Sequence, residues 1–448
     1  MKSASVSIMV KDILSDSTVC SYDAEREVIP ASVMKIVTTA SALEMLGDQF
    51  QYTTTLLYDG VINGNNLEGN IYIRGSGDPT LGSSETGADR DKIMRQWANA
   101  IKNAGVQTVT GSVISDERIF DTEGISMKMM REDMGSYYGQ GSYGINIFDN
   151  RYTLFLRTNE ANTQPEIIKT VPEIPFLFFN NYLTVNNANR DSMYIIGAPF
   201  SNERYLYGTV PANRIDYQQK GDIPDPALFL AQYFTAFLEK ESVNVAGEPS
   251  CYRLLYQSNN VINSDYKSFT STYSVPLKEL ARITNHVSHN LYADALLKTM
   301  GLNAISAEKL SSFEKGVHLI KKSWDEKGLD TSSLWMYDGC GLATTDKVTA
   351  TFLCDLLSYM YTQSSVSKSF FESLPRAGME GTVANFLRGS RLQGKARLKS
   401  GSMSRVRSYA GYVIKEDKPY AVAILVNNFS CTQTQIRMDM ERLLLSLF

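Results

Sequence analysis

"PASVMKIVTTASALEML", residues 30–46, places a serine behind a proline and an alanine, a lysine three positions on, and then an apolar run that ends before Gly47. Met34, Val37, Ala40, Ser41 and Leu43 to Met45 recur at helical spacing, so the stretch predicts a buried helix. Its first turn carries Ser32 and Lys35 on one face, at i and i+3. Ser32 is then either a helix cap or a nucleophile. A cap needs only an oxygen near the first free N–H groups. A nucleophile needs a base, and a lysine kept from water is pushed toward the neutral amine that can accept a hydroxyl proton. The helix N-terminus would also favour an oxyanion forming beside it. Ser-x-x-Lys is a common tetrad, and others begin at Ser264, Ser306, Ser312 and Ser365, all in polar and charged surroundings. Only Ser32 and Lys35 open a segment apolar enough to be buried.

Upstream, Ser3 to Tyr22 reads as two strands joined by a turn at "LSDST". Downstream, from about Gln51 to Asn263, the chain becomes rich in short strands, turns and aromatics, with helices at Asp91 to Asn103 and Pro226 to Leu238. The polar run "QSNNVINSD" marks a return to helical patterning: Leu277 to Met300, Ala307 to Trp324 and Lys347 to Thr362. The chain ends as a hairpin, "RSYAGYVIKEDKPYAVAILVNNF", and an amphipathic tail from Thr434 to Phe448. Strands at both termini imply one domain whose sheet needs both ends of the chain, with the β-rich middle as an insertion. There is no internal repeat and no low-complexity segment.

Two further motifs stand in order behind the first. "TNHVSHNLYADALLKT" sets Ser288-His289-Asn290 between two helical runs, where a short loop can project a hydroxyl and an amide. "RLKSGSMSRVRSYAGYV" sets Lys399-Ser400-Gly401 on an edge strand, where glycine allows close backbone approach and lysine attracts a carboxylate. Alone, the second motif is a helix break with capping residues and the third a strand bulge. Together with Ser32 and Lys35 they form the ordered Ser-x-x-Lys, Ser-x-Asn and Lys-Thr-Gly signature of penicillin-binding proteins and serine β-lactamases.

The separation of 256 residues from Ser32 to Ser288 exceeds what a compact β-lactamase needs. In this the chain resembles the D-alanyl-D-alanine carboxypeptidase/endopeptidase family of class C low-molecular-mass penicillin-binding proteins, which insert two domains between the first two motifs. Further matches are "SGDPTL" at 76–81, "SYYGQGSYGINIFDN" at 136–150, "SHNLYADALL" at 288–297, "YDGCGL" at 337–342 and "GMEGTV" at 378–383. The resemblance implies an α+β fold: a catalytic domain of antiparallel sheet and helices from residues 1–50 and 264–448, a β-rich inserted domain from 51–155 and 210–263, and a second from 156–209.

It also implies a serine D-Ala-D-Ala carboxypeptidase and D,D-endopeptidase that cleaves peptidoglycan stem peptides and is acylated by β-lactams at Ser32. Lys35 would take the serine proton, Ser288 and Lys399 would pass a proton to the leaving amine, and Asn290 would position Lys35 and the substrate amide. The Ser400 and Ser402 hydroxyls would bind the terminal carboxylate beside Gly401, and the Ser32 and Ser402 N–H groups would form an oxyanion hole. Asp133 and Tyr138 would hold the side chain of an amino-bearing stem residue. No metal or cofactor is needed. The site of action would be the periplasm or wall space, with peripheral membrane or wall association, reached with a signal peptide not found in this sequence. The chain departs from the family pattern in having Lys-Ser-Gly for Lys-Thr-Gly, and Cys340 where serine is usual. A β-lactamase, and a silent wall-binding or β-lactam-sensing module on the same fold, are the rival readings.

Composition narrows the field. A net charge of −4 with a pI near 5.6 gives no basic footprint for nucleic acid. Five scattered cysteines without a CxxC pair fit neither a disulfide framework nor a zinc site. Three histidines, two of them flanking Ser288, with neither G-x-S-x-G nor HExxH, leave no Ser-His-Asp hydrolase or zinc protease.

Overall fold

The computed structural model describes residues 4–87, 89–260, 265–304 and 309–448. The tetrads at Ser264 and Ser306, the end of the polar run and the expected helix start at Ala307 lie outside them. The chain divides into two compact units. One comprises Met1–Phe50, Ser126–Lys128 and Pro276–Phe448, the other Gln51–Ile125 and Met129–Val275.

The first unit is built on a five-stranded antiparallel sheet. Strands β1 (Ser5–Asp12) and β2 (Ser17–Tyr22) come from the N-terminus, and β3 (Ala396–Met403), β4 (Val406–Lys415) and β5 (Lys418–Asn427) from the C-terminus. Their order is β2-β1-β5-β4-β3, so β1 bonds directly to β5, with Ile8 opposite Ile424 and Val10 opposite Val422. Among the described residues, no strand of the inserted region joins this sheet. Because side chains alternate, one face gathers Ile8, Val10, Leu398, Tyr409, Val422 and Ile424 beneath the C-terminal helix Gln433–Leu447, whose Ile436, Met440 and Leu444 complete the layer. The opposite face carries Lys399 and Gly401, and β3 is the edge strand because it pairs only with β4.

The unit's helices include α1 (Met34–Leu46), α2 (Leu277–His286), α3 (Asn290–Met300), α4 (Ser312–Glu326) and α5 (Ala350–Thr362), with α1 packed on α2 and α3, α4 on α3, and α5 against the sheet on β1 and β5. Helix α1 contains the poor helix formers Ile36, Val37, Thr38 and Thr39 in one run. Burial from Met34 to Leu43 on every side, not propensity, is what holds it as a helix. The Thr39 and Ser41 hydroxyls are satisfied by donating to the carbonyls of Lys35 and Val37, both at 2.7 Å. Gly47, at φ +81°, ends the helix, its N–H donating to Leu43.

The second unit has its own hydrophobic core, running from Leu56 and Trp97 to Leu206, Phe234 and Cys251. Strand Lys267–Tyr273, which the sequence reading assigns to the catalytic domain, pairs antiparallel with Thr53–Tyr58 and so belongs here. The chain re-enters the first unit at Pro276, not at residue 264, because that pairing keeps the strand. Conversely, Ser126–Lys128 falls in the first unit, where the Ser126 hydroxyl donates to the Tyr337 carbonyl.

Candidate active site

Ser32 is not a cap. It lies in a 3-10 turn, Ala31–Val33, that leads into α1. Pro30 and Val33 occupy the two N-cap positions, and neither turn nor helix has a side-chain cap bond. The turn is bent by Ala31, at φ +49°, and is moored to the far end of the chain: Asn427 of β5 accepts from the Ile29 N–H at 2.8 Å and donates to the Ile29 carbonyl at 3.0 Å. Gly341, at φ +78°, packs so closely on the same turn that a Cβ there would lie 2.0 Å from the Ala31 carbonyl oxygen.

The Lys35 ammonium is fully buried and has three oxygen partners: Ser32 Oγ at 3.0 Å, Asn290 Oδ1 at 2.7 Å and the Cys340 carbonyl at 2.7 Å. Burial pushes its pKa below the ordinary lysine value, against the pull of neighbouring acidic groups, Asp294, Asp338 and Asp346 among them. Those acids sit behind the lysine. Asp338 accepts backbone N–H bonds from Cys340, Gly341, Leu342 and Ala343, which shapes the turn that presents the Cys340 carbonyl. Burial, with Asp338 next, pushes the Asp294 carboxyl up to about 8, and Asp294 accepts from the Gly339 N–H at 2.8 Å. The Cys340 thiol is driven well up by burial, so it remains a neutral thiol beside them.

Ser288 occupies the break between α2 and α3 in a left-handed conformation, φ +59°, that a serine adopts only under constraint. Its Oγ accepts from Lys399 Nζ at 2.9 Å, and Lys399 donates also to the Ser400 carbonyl at 2.8 Å. Burial lowers the Lys399 pKa well below normal, with the Lys35 charge adding to the effect. Asn290 is the first residue of α3, which aims its amide at Lys35.

On β3, residues alternate in direction: Lys399 and Gly401 share one face, Ser400 and Ser402 the other. Ser400 is buried and donates to Thr382 Oγ1 at 2.7 Å, whereas Ser402 is exposed. Gly401 has a different reason for being glycine than the sequence suggests. A Cβ there would lie 2.5 Å from the Pro30 carbonyl and 3.1 Å from the N atoms of Ser32 and Val33, so glycine admits the nucleophile's own turn. Gly401→Ala is therefore expected to displace the Ser32 turn and to lower the melting temperature. An unchanged melting temperature would show that the turn can retreat without cost.

Asp133 and Tyr138 lie in the second unit. Asp133 ends the turn Arg131–Asp133 and is buried, its carboxylate hydrogen-bonded by Tyr138 and its pKa raised by burial. Tyr137 and Tyr138 meet edge to face at 5.3 Å. Thus Ser32, Lys35 and Asn290 meet, as do Ser288 and Lys399. Sequence motifs alone do not bring out the roles of the Cys340 carbonyl, Asp294 or Thr382, although all three stand in quoted stretches: "YDGCGL", "SHNLYADALL" and "GMEGTV".

An antiparallel sheet that joins both chain ends, with helices packed on it and a Ser/Lys pair at a buried helix start, defines a fold of the penicillin-binding protein type. The chain matches the model of the D-Ala-D-Ala carboxypeptidase 3 (S13) family over residues 1–446 and belongs to that family. It is a peptidase hydrolase of the D-Ala-D-Ala carboxypeptidase kind. It is 26% identical over 436 residues to a D-alanyl-D-alanine carboxypeptidase of Actinomadura sp. (strain R39), covering 94% of this chain and 78% of the relative. Among solved structures it is similar to penicillin binding protein 4 (dacB) from Haemophilus influenzae, with TM-score 0.82 and 21% identity over 97% of this chain and 92% of the other. It is similar in fold also to the penicillin G acylated predatory endopeptidase Bd3459 from Bdellovibrio bacteriovorus, solved with an immunity protein: TM-score 0.51, 13% identity, 98% and 92% coverage. Among the described residues, no helix is long and apolar enough to cross a membrane.

Proposed function

We propose that Ser32 attacks the carbonyl of the penultimate D-alanine of a peptidoglycan stem peptide, with Lys35 as its general base. The observation that carries this is the set of partners around Lys35. When the amine is neutral, its two remaining hydrogens have two fixed acceptors, Asn290 Oδ1 and the Cys340 carbonyl, so its lone pair is aimed at the Ser32 hydroxyl 3.0 Å away. Burial favours that neutral form. The proton passes through Ser288, held by Lys399, to the leaving D-alanine amine; water then hydrolyses the acyl-enzyme. The N–H groups of Ser32 and Ser402 bind the oxyanion, and loss of such a donor typically costs ~10²- to 10³-fold in rate. The exposed Ser402 hydroxyl binds the terminal carboxylate, with Ser400 held beside it by Thr382.

β-Lactams present the same carbonyl geometry and acylate the same serine. Cross-linked peptides also join a D-alanine carbonyl to a D-centre bearing a carboxylate, so the enzyme is a D,D-endopeptidase as well, acting in the periplasm or wall space. Mass spectrometry of products from disaccharide-pentapeptide and from cross-linked dimer tests this. Release of one D-alanine from the first and two monomers from the second is expected, and intact dimer after long incubation would remove the endopeptidase activity. Rapid nitrocefin turnover would favour a β-lactamase instead.

Asp133 and Tyr138 grip the amino group of a diaminopimelate-type stem residue. Burial and the Tyr138 hydroxyl hold the Asp133 carboxyl ready for a cationic partner, which a solvated loop carboxylate would lack. Asp133→Ala should lower kcat/KM on natural muropeptides at least tenfold and leave acylation by a simple penicillin, which lacks that side chain, within about twofold. Equal losses on both would remove Asp133 from the site. The second unit is further proposed to comprise two domains, 51–155 with 210–263, and 156–209, since strands Phe178–Asn181, Tyr194–Gly197 and Glu203–Tyr207 pair only with one another.

A further inference from the structure

Those three strands form a sheet in which Phe178–Asn181 runs parallel, and Tyr194–Gly197 antiparallel, to the central Glu203–Tyr207. Its two faces have opposite characters. One buries Ile195 and Leu206 in the unit's core together with Arg204, whose guanidinium is paired at 2.9 Å with buried Asp222. The other face is open, and there alternation predicts polar and charged residues. It carries aromatics instead: Phe178, Tyr194, Tyr205 and Tyr207, joined by Tyr182 from the end of the first strand. Phe178 is 60% exposed, Tyr182 59% and Tyr194 47%. Tyr207 stacks between Tyr182, at 5.3 Å and 11°, and Tyr194, at 5.6 Å and 26°, so three rings form a ladder. Beside it is a cleft of ≈540 Å³ walled by Tyr194, Tyr205 and Tyr207 on the sheet and by Met130, Arg131 and Glu132 on the adjoining loop.

We propose that this tyrosine face is a saccharide-binding platform that takes the glycan strand of peptidoglycan. A pyranose ring offers a flat face of C–H groups and a rim of hydroxyls. Tyrosine answers both, with an apolar ring and a polar tip. Glu203 and Asn180 lie on the same face to receive the rim: the Glu203 carboxylate accepts from the Tyr205 hydroxyl at 2.5 Å and from the Asn180 amide at 3.4 Å. Aromatics already stacked and anchored lose little freedom on binding. The sheet face carries no lysine or arginine, which a surface that seeks anionic lipid needs.

The position of the face identifies the occupant. The loop that carries Asp133 is fixed to the end of strand Tyr194–Gly197: the Gly197 N–H donates to the Met134 carbonyl at 3.1 Å, and a Cβ on Gly135 would lie 2.5 Å from the Gly197 nitrogen. The platform and the Asp133–Tyr138 pair are therefore parts of one surface of the second unit. The inference rests on the proposed reading in which that pair holds a stem residue, because the stem is joined covalently to a sugar of the glycan strand.

The test uses full-length protein, stem-free glycan strands and a soluble, sugar-free acyl-D-Ala-D-Ala peptide. Saturable binding of the glycan is expected for the wild type. Tyr194→Ala/Tyr207→Ala should weaken it at least tenfold and Tyr182→Ala at least threefold, with peptide hydrolysis by both variants within twofold of wild type. Wild-type hydrolysis without glycan binding, undiminished glycan binding by the variants, equal losses on glycan and peptide in both variants, or a preference for phosphatidylglycerol vesicles over glycan would each overturn the platform. Glycan binding by the wild type together with unchanged muropeptide turnover in Asp133→Ala would instead remove the stem-residue reading and leave the platform standing.

Discussion

Ser32→Ala is expected to leave a folded protein that no β-lactam labels. Intact-mass analysis of the wild type should show a single adduct equal to the whole antibiotic, since ring opening expels nothing, and the variant should show none. The fold should survive because Ser32 caps no helix; its hydroxyl accepts a hydrogen bond from Lys35 worth about 1 kcal/mol net. The turn itself is held by backbone packing and by the Asn427 clamp on Ile29, neither of which involves the hydroxyl. Labelling that persisted in Ser32→Ala would place the nucleophile elsewhere. Among the described residues, Ser288 would be next to examine, since it too is bonded to a buried lysine.

Lys35→Ala should slow acylation by ~10²- to 10⁴-fold, the range attributed to a positioned general base. It should also lower the melting temperature, because Asn290 Oδ1 and the Cys340 carbonyl each lose a buried donor, at about 1–3 kcal/mol apiece. The pH dependence gives a second readout. Lys35 acts only after losing a proton, so wild-type acylation should rise with pH through its lowered pKa and fall away below it. Once ionised, above about pH 8, Asp294 raises the Lys35 pKa, so Asp294→Asn, which keeps an acceptor for the Gly339 N–H, should move the part of the rising limb above that pH to lower pH. A limb that stayed in place or moved up would detach Asp294 from the base, and acylation by Lys35→Ala within tenfold of wild type would remove Lys35 from that role.

Much of this site could be read along the chain, and the reason is local. The apolar run after Lys35, the break around Ser288 and the alternation through Lys399 are each written within twenty residues. What could not be read is what those segments do to each other. Gly401 stands where it does because of the Pro30 carbonyl, Thr382 matters because Ser400 reaches it, and the Cys340 carbonyl matters because Lys35 lies 305 positions away. Strand Lys267–Tyr273 shows the same limit in the fold: its own pattern says strand, but only its partner, Thr53–Tyr58, says in which unit. Ser288 carries no local sign of its left-handed backbone, a conformation that tertiary packing imposes.

The sheet order has one more consequence, for the timing of activity. Strand β1 and the turn bearing Ser32 are made about 400 residues before their neighbours β5 and Asn427, and such distant pairings form slowly. The inserted unit can bury its core long before then, but the lysine of β3 is not made until residue 399 and the clamp on Ile29 not until residue 427. A chain released or stalled before that point therefore lacks the partners that hold the Ser32 turn, and the strand order makes assembly of the site a late event in synthesis.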